Sequence, residues 1–245
     1  MISASYPMET RVARGKVTLA PSSKAPGTLQ FCQKCCSMRP AFIKLFIREN
    51  PFLKETLLLI CAYLLGSVPT GLLLARAFGV NIREAGSGNI GATNVYRTMG
   101  RKVGILTLVG DCLKGLVPVL VAIWLGLPDA WVAAIGLAAF LGHVYTIFLG
   151  FKGGKGVATA LGVFLATSPL SVLCGLAVFA LVLYKWRYVS AASIAAAALI
   201  PVFVTLADGK PELIVMSLAI SALVIFRHRE NIARLKAGTE SRFKA

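Results

Sequence analysis

Apolar residues in this chain come in long blocks, without the three-and-four spacing of a soluble amphipathic helix or the alternation of a half-buried strand. Seven blocks run roughly over 55–78, 102–126, 129–149, 156–168, 169–185, 189–207 and 211–226. A helix needs about 20 residues to cross the hydrocarbon core. The first three blocks reach that length comfortably; the fourth, fifth and seventh are short. Only Ser168-Pro169 divides the fourth from the fifth, and proline can open a helix but not continue one, so a tight hairpin is expected there. The pattern predicts an all-α integral membrane protein with about seven transmembrane helices, occupying residues 52–245. Residues 1–51 show no such block and no signal-peptide core, and are expected to be a basic, disordered extension.

Composition agrees. The chain is 57% hydrophobic and 15% charged, against about 45–50% and 25% in soluble domains. Its net charge of +16 would suggest nucleic acid on a soluble protein, but no stretch is long enough for a soluble basic domain, so nucleic acid is excluded as a partner. The charges lie between the blocks instead. Arg83, Arg97, Arg101 and Lys102 occupy the first connection, Lys152 and Lys155 the third, and Lys185 and Arg187 the fifth. The C-terminal segment carries Arg227, Arg229, Arg234, Lys236, Arg242 and Lys244. The second and fourth connections have no Lys or Arg, and the sixth has only Lys210. The positive-inside rule then puts the odd connections and the C-terminus in the cytoplasm. One feature conflicts: an outer N-terminus would carry nine Lys/Arg within residues 1–54. Either that tail is exported despite its charge or the natural start lies later, for instance at Met38, which removes five of the nine; the later start is favoured. Cys32, Cys35 and Cys36 lack a second ligand pair, so no metal site is expected.

The chemistry concentrates in the charged connections. Residues 84–97 read EAGSGNIGATNVYR: glycines that let backbone amides approach a ligand, Ser87 and Asn89 as donors, and Arg97 as a planar fork for phosphate. Residues 150–159 read GFKGGKGVAT and lead into an apolar helix; Gly153, Gly154 and Lys155 at a helix N-terminus suit an anion. No strand precedes them and no Ser or Thr follows Lys155, so this is no nucleotide P-loop. If the last helix continues past the membrane surface, His228 and Asn231 share a face at i and i+3. Ser190 and Ser193 open the sixth helix. Asp111 and Lys114 are expected simply to pair, and His143 to be a satisfied packing histidine. Loop parity puts Ser87, Arg97, Lys155, Ser193, His228 and Asn231 on one membrane face, and together these describe a site.

GSGNIGATNVYR, GHVYTIFLGFKGGKGVAT and RHRENIARLKAGTE resemble the three signature regions of the bacterial acyl-phosphate:glycerol-3-phosphate acyltransferases, the PlsY family; AYLLGSVPTG and DCLKG are similar to it as well. The resemblance covers about residues 55–245. It implies a multi-pass protein of the bacterial inner membrane that moves an acyl group from a long-chain acyl phosphate to the 1-hydroxyl of glycerol 3-phosphate. Lysophosphatidic acid and phosphate would result, without metal, cofactor or acyl-CoA. Its partners would be those substrates, membrane lipid and an enzyme that produces acyl phosphate. Carried over, His228, Asn231 and Ser87 would be catalytic, and Arg97, Lys155, Ser193, Gly153 and Gly154 would bind substrate phosphate. Ile90 and Thr146 stand where many members have proline, and the first 50 residues have no counterpart. Two other classes are weaker. An anion transporter would place its polar groups near the midplane within inverted repeats. The H-x4-D pattern of CoA-dependent acyltransferases is absent, since Phe148 and Ala233 follow His143 and His228 at that spacing.

Overall fold

A computed structural model describes residues 51–243, so the expectations for the N-terminal extension lie outside the described residues. All regular structure within that range is helical. The first apolar block is two helices, α1 (Pro51–Ser67) and α2 (Thr70–Ala77), bent by 41°. The block was expected as one span. Pro69 has no N–H to continue the ladder, and the chain turns where it sits. The first connection contains an unanticipated helix, α3 (Ala92–Met99), too short and too polar to register as an apolar block.

Next come α4 (Arg101–Trp124) and α5 (Asp129–Val144), the latter extended by a 3-10 turn at Ile147–Leu149. The Ser168-Pro169 hairpin is present between α6 (Val157–Thr167) and α7 (Pro169–Trp186). Finally α8 (Val189–Ala207) and α9 (Pro211–Arg227) lead to α10 (Arg229–Lys236). The last helix does not run on through the surface: it breaks by 52° at His228.

Among the described residues, α4, α5 with its extension, α7 and α8 are long and apolar enough to cross a membrane, and the two bent pairs raise the number from four to six. At about 1.5 Å per residue, the 11-residue α6 covers about 16 Å, roughly half the hydrocarbon thickness.

The core lies where α1, α4, α5, α6, α8 and α9 meet, around Phe140, Ile135, Val163 and Ile220. Leu, Val and Phe cover much of the outside, with Leu106, Leu173, Leu181 and Val215 more than half exposed, as a lipid-facing surface requires. The packing of α4 on α6 fixes the site. A Cβ on Gly115 would strike the Thr159 carbonyl, and one on Gly162 the Cys112 carbonyl, so the backbones touch at a reciprocal pair of glycines. This brings Asp111 of α4 beside the loop that carries Lys155.

The two departures from proline keep their loops ordered by other means. Thr146 is buried and donates a hydrogen bond to the Ser67 carbonyl at 2.6 Å, while Ile90 packs with Leu72, Ile82 and Val95.

Candidate functional site

The glycine-rich loop before α3 is organised by one buried amide. Asn94 donates from Nδ2 to the Ala85 and Asn89 carbonyls at 3.0 and 2.9 Å, and its Oδ1 accepts from the Ser87 N–H at 2.8 Å. Gly86 and Gly88 have φ of 61° and 67°, conformations open to glycine at little cost. The loop thus presents the Ser87 side chain and the first turn of α3, Ala92 and Thr93, to a common cavity.

The glycine–lysine loop divides its labour differently from the expectation. The Gly153 and Gly154 N–H groups donate to the Val144 and His143 carbonyls, both at 3.1 Å, and neither residue lines the cavity. Their own carbonyls accept from Arg227 at 3.1 and 3.3 Å. Side chains would not fit: a Cβ on Gly153 would enter the His143 carbonyl, and one on Gly154 the His143 ring. These glycines fold the loop back on α5 and leave the cavity wall to Lys155 and to Gly156, Val157 and Ala158 at the start of α6.

The C-terminal region closes the far side. At the break between α9 and α10, His228 Nδ1 lies 2.7 Å from the Val224 carbonyl oxygen. A carbonyl only accepts, so Nδ1 carries the hydrogen and Nε2 remains an acceptor. Burial, together with the Lys155 ammonium, lowers the His228 pKa to about 4, against opposing contributions from the Val224 hydrogen bond and Glu240. The imidazole is therefore neutral at pH 7. Asn231 is held at both ends: its Nδ2 donates to Glu240 Oε1 at 2.7 Å and its Oδ1 accepts from Lys155. Glu240 also accepts from Ser190 at 2.7 Å and from Arg234 at 2.7 Å. Burial would raise its pKa, but these three donors bring it below the ordinary carboxylate value. For Lys155, burial and the nearby Arg234 outweigh the attraction of Glu240 and lower the pKa.

These pieces enclose a cavity of about 170 Å³. Ser87, Arg97, Lys155, Ser193, His228 and Asn231 all line it. So do the opening turns of α3 and α6, together with Val189 and Ser190 at the start of α8 and the α10 face that carries Asn231 and Arg234. Helix-start N–H groups beside Arg97, Lys155 and Arg234 give the cavity a chemistry suited to an anion. Cross-links hold the three segments together: Arg83 donates to the Lys152 carbonyl, Lys155 to Asn231, and Arg97 to the Ser241 carbonyl at 3.1 Å.

A second cavity, about 230 Å³, adjoins the first and shares Leu108, Val157, Ala158, Phe179 and Ser193 with it. Its other walls, from α6 to α9, are apolar apart from Ser221.

Asp111 and His143, buried to 2% and 4% exposure, also face the polar cavity. Asp111 and Lys114 do pair, at 2.8 Å. The expectation for His143 is corrected: among the described residues its Nδ1 has no hydrogen-bond partner, and it lies 3.7 Å from Asp111 Oδ1. His143, the penultimate residue of α5, faces the Asp111–Lys114 pair.

Sequence reasoning gave Glu240 no role, although it is the last residue of the third signature region, RHRENIARLKAGTE, and follows α10. It missed Asn94 as loop organiser, although an Asn inside a glycine-rich segment is a recurrent turn anchor.

The family described as glycerol-3-phosphate acyltransferase matches residues 56–238. A glycerol-3-phosphate acyltransferase of Geotalea daltonii is 70% identical over 190 residues, covering 78% of this chain and 98% of the relative. That of Geobacter sulfurreducens is 68% identical over 193 residues, covering 79% and 100%. The crystal structure of PlsY (YgiH), an integral membrane glycerol 3-phosphate acyltransferase in its glycerol 3-phosphate form, is 46% identical with a TM-score of 0.76 over 78% of this chain and 96% of that one. A lysophosphatidic acid form of PlsY superposes with a TM-score of 0.74. With most of its length inside these matches, the chain belongs to the glycerol-3-phosphate acyltransferase family.

Proposed function

We propose that the polar cavity is where this membrane acyltransferase joins an acyl phosphate to the 1-hydroxyl of glycerol 3-phosphate, releasing lysophosphatidic acid and phosphate. The observation that carries this reading is the convergence of Arg97, Lys155 and Arg234 with the opening turns of α3 and α6 on one cavity, next to an apolar groove that shares its wall. A substrate with a doubly charged head and a hydrocarbon tail has matching surroundings for both parts. That relatives of this chain are described in glycerol 3-phosphate and lysophosphatidic acid forms supports the acceptor and the product.

In this reading Arg97, Lys155 and Ser193 bind phosphate, as do the α3 and α6 N-termini; Gly153 and Gly154 act only by shaping the loop. Ser87 holds the donor's polar end, and the acyl chain lies in the groove. Asn231 fixes the Lys155 ammonium through a carbonyl that Glu240 keeps turned toward it. His228 Nε2 accepts a hydrogen bond from the 1-hydroxyl and orients its oxygen toward the acyl carbonyl. That oxygen attacks the carbonyl carbon, and the tetrahedral oxyanion collapses by breaking the bond to phosphate. With a pKa of about 4, His228 is a weaker proton acceptor than the departing phosphate, whose second pKa is about 6. The hydroxyl proton therefore ends on phosphate.

The same proposal puts the cavity at the cytoplasmic face of the inner membrane, with α6 as the seventh, partial crossing. The bias of Lys and Arg toward the odd connections supports that orientation. An acyl-phosphate-producing enzyme would then supply the donor from the same compartment.

The deciding assay gives purified protein in detergent glycerol 3-phosphate with either acyl phosphate or acyl-CoA. Phosphate and lysophosphatidic acid formed from acyl phosphate alone is the expected result. Equal use of acyl-CoA, or no turnover outside sealed vesicles, contradicts it.

A further inference from the structure

Two buried ionisable groups on the cavity wall have no part in the chemistry above. Asp111 and His143 reach the cavity from α4 and α5. Lys114, beneath them, donates to the Val68 carbonyl at 2.9 Å, where Pro69 has broken the helix, and is thereby fixed in place. From there it pairs with Asp111 Oδ1 at 2.8 Å, and His143 Nδ1 approaches the same oxygen at 3.7 Å. Among the described residues no donor reaches the other oxygen, Oδ2. Ionisable residues inside a membrane domain are costly and tend to face functional cavities, and a carboxylate offers about four acceptor sites.

The other side-chain amide and carboxylate oxygens on the cavity wall each already accept a hydrogen bond, whereas Asp111 Oδ2 accepts none among the described residues. Asn89 Oδ1 accepts from Gly91, Asn94 Oδ1 from Ser87, Asn231 Oδ1 from Lys155, and both oxygens of Glu240 are occupied. Yet glycerol 3-phosphate brings two hydroxyl donors into a cavity dominated by cations. If the 1-hydroxyl meets His228, the 2-hydroxyl still needs an acceptor, and a buried donor left without one is strongly penalised.

We propose that Asp111 reads the glycerol backbone: its carboxylate accepts a hydrogen bond from the acceptor's 2-hydroxyl, held in position by Lys114 and flanked by His143. Asp111 is then a specificity-determining residue. It selects a three-carbon acceptor that carries a secondary hydroxyl over one that lacks it. The inference rests on the proposed acceptor.

The test compares kcat/KM for glycerol 3-phosphate and for 3-hydroxypropyl phosphate, which lacks only the 2-hydroxyl, with one acyl phosphate donor. Wild-type protein should prefer glycerol 3-phosphate by roughly 10- to 100-fold, the range for a hydrogen bond to a charged group. Asp111→Asn should lower turnover of glycerol 3-phosphate, leave that of the deoxy acceptor near wild type, and bring the ratio within about threefold. Because Asp111→Asn strands the Lys114 charge and can impair folding, a second variant, Asp111→Leu with Lys114→Met, removes both charges at similar volume and should collapse the ratio in the same way. A ratio unchanged from wild type in these variants, or equal loss with both acceptors in both of them, overturns the proposal, since a wall that merely holds helices together serves both acceptors alike. Absence of any wild-type turnover of glycerol 3-phosphate would instead sink the acceptor assignment itself, and this proposal with it.

Discussion

The polar cavity and the apolar groove are neighbours of similar size, about 170 and 230 Å³, built in part from the same residues, yet they are made in opposite ways. The cavity is assembled at helix ends: loops, caps and broken helices supply side chains and helix-start N–H groups, and hydrogen bonds across long stretches of sequence hold them. The groove is assembled from helix middles, where small residues such as Ala196, Ala197 and Gly175 leave room between otherwise apolar faces. At Ser193, one turn into α8, one becomes the other. Under the proposed function, the difference assigns chemistry to chain breaks and acyl-chain accommodation to packing. Changes in one region should therefore leave the other's property intact.

The largest expected effect lies in the cavity. Lys155→Met removes a cation and the partner of Asn231, and should lower kcat/KM by roughly 10²- to 10³-fold, the scale for losing one preorganised electrostatic contact, with acyl-chain preference unchanged. A change in chain preference would mean that the two regions are not separable. In the groove, Ala197→Phe should reduce turnover of long-chain donors about 10-fold or more relative to donors two methylenes shorter, at about 0.8 kcal/mol per methylene. Acceptor KM should stay as it was. Competition between donors of graded length reads this directly.

A smaller effect is expected at Glu240. Glu240→Gln replaces an acceptor-only group by one with two N–H donors, which must face Asn231, Ser190 or Arg234. The Asn231 amide loses its fixed orientation, and glycerol 3-phosphate KM should rise about 10-fold, one hydrogen bond to a charged group. Unchanged kinetics would show that Asn231 needs no such hold.

The smallest effect concerns pH. His228 has a folded-state pKa of about 4 against 6.5 for an ordinary histidine, so the unfolded chain binds the extra proton first. Its contribution to stability is complete above pH 6.5 and is lost as pH falls toward 4. Thermal midpoints in detergent should drop over that window by less in His228→Gln than in wild type. Equal drops would mean that this imidazole is not held neutral.

Much of this division was legible in the sequence, for a physical reason. Lipid demands apolar blocks, and whatever interrupts them stands out, so Arg97, Lys155, His228 and Asn231 could be picked out without coordinates. Properties that depend on how blocks meet were not legible. The groove is a space between faces that are all apolar, so no periodicity marks it. Gly153 and Gly154 looked like anion binders because their type suits that task; only the fold shows the His143 backbone and ring filling the space a side chain would need. Glu240 reaches Asn231 only because the chain turns at Gly238, whose φ is 70°. The break at His228 hid behind good helix formers on both sides.

Everything rests on the segments around Glu84, Lys152 and Lys236 meeting on one side of the bilayer. Single cysteines at these exposed positions, in a chain whose own cysteines are replaced by serine or alanine, can be labelled in sealed vesicles of known orientation with a membrane-impermeant maleimide. Labelling of all three from the cytoplasmic side only is the expected result. Reaction of any one from the opposite side would contradict the shared cradle.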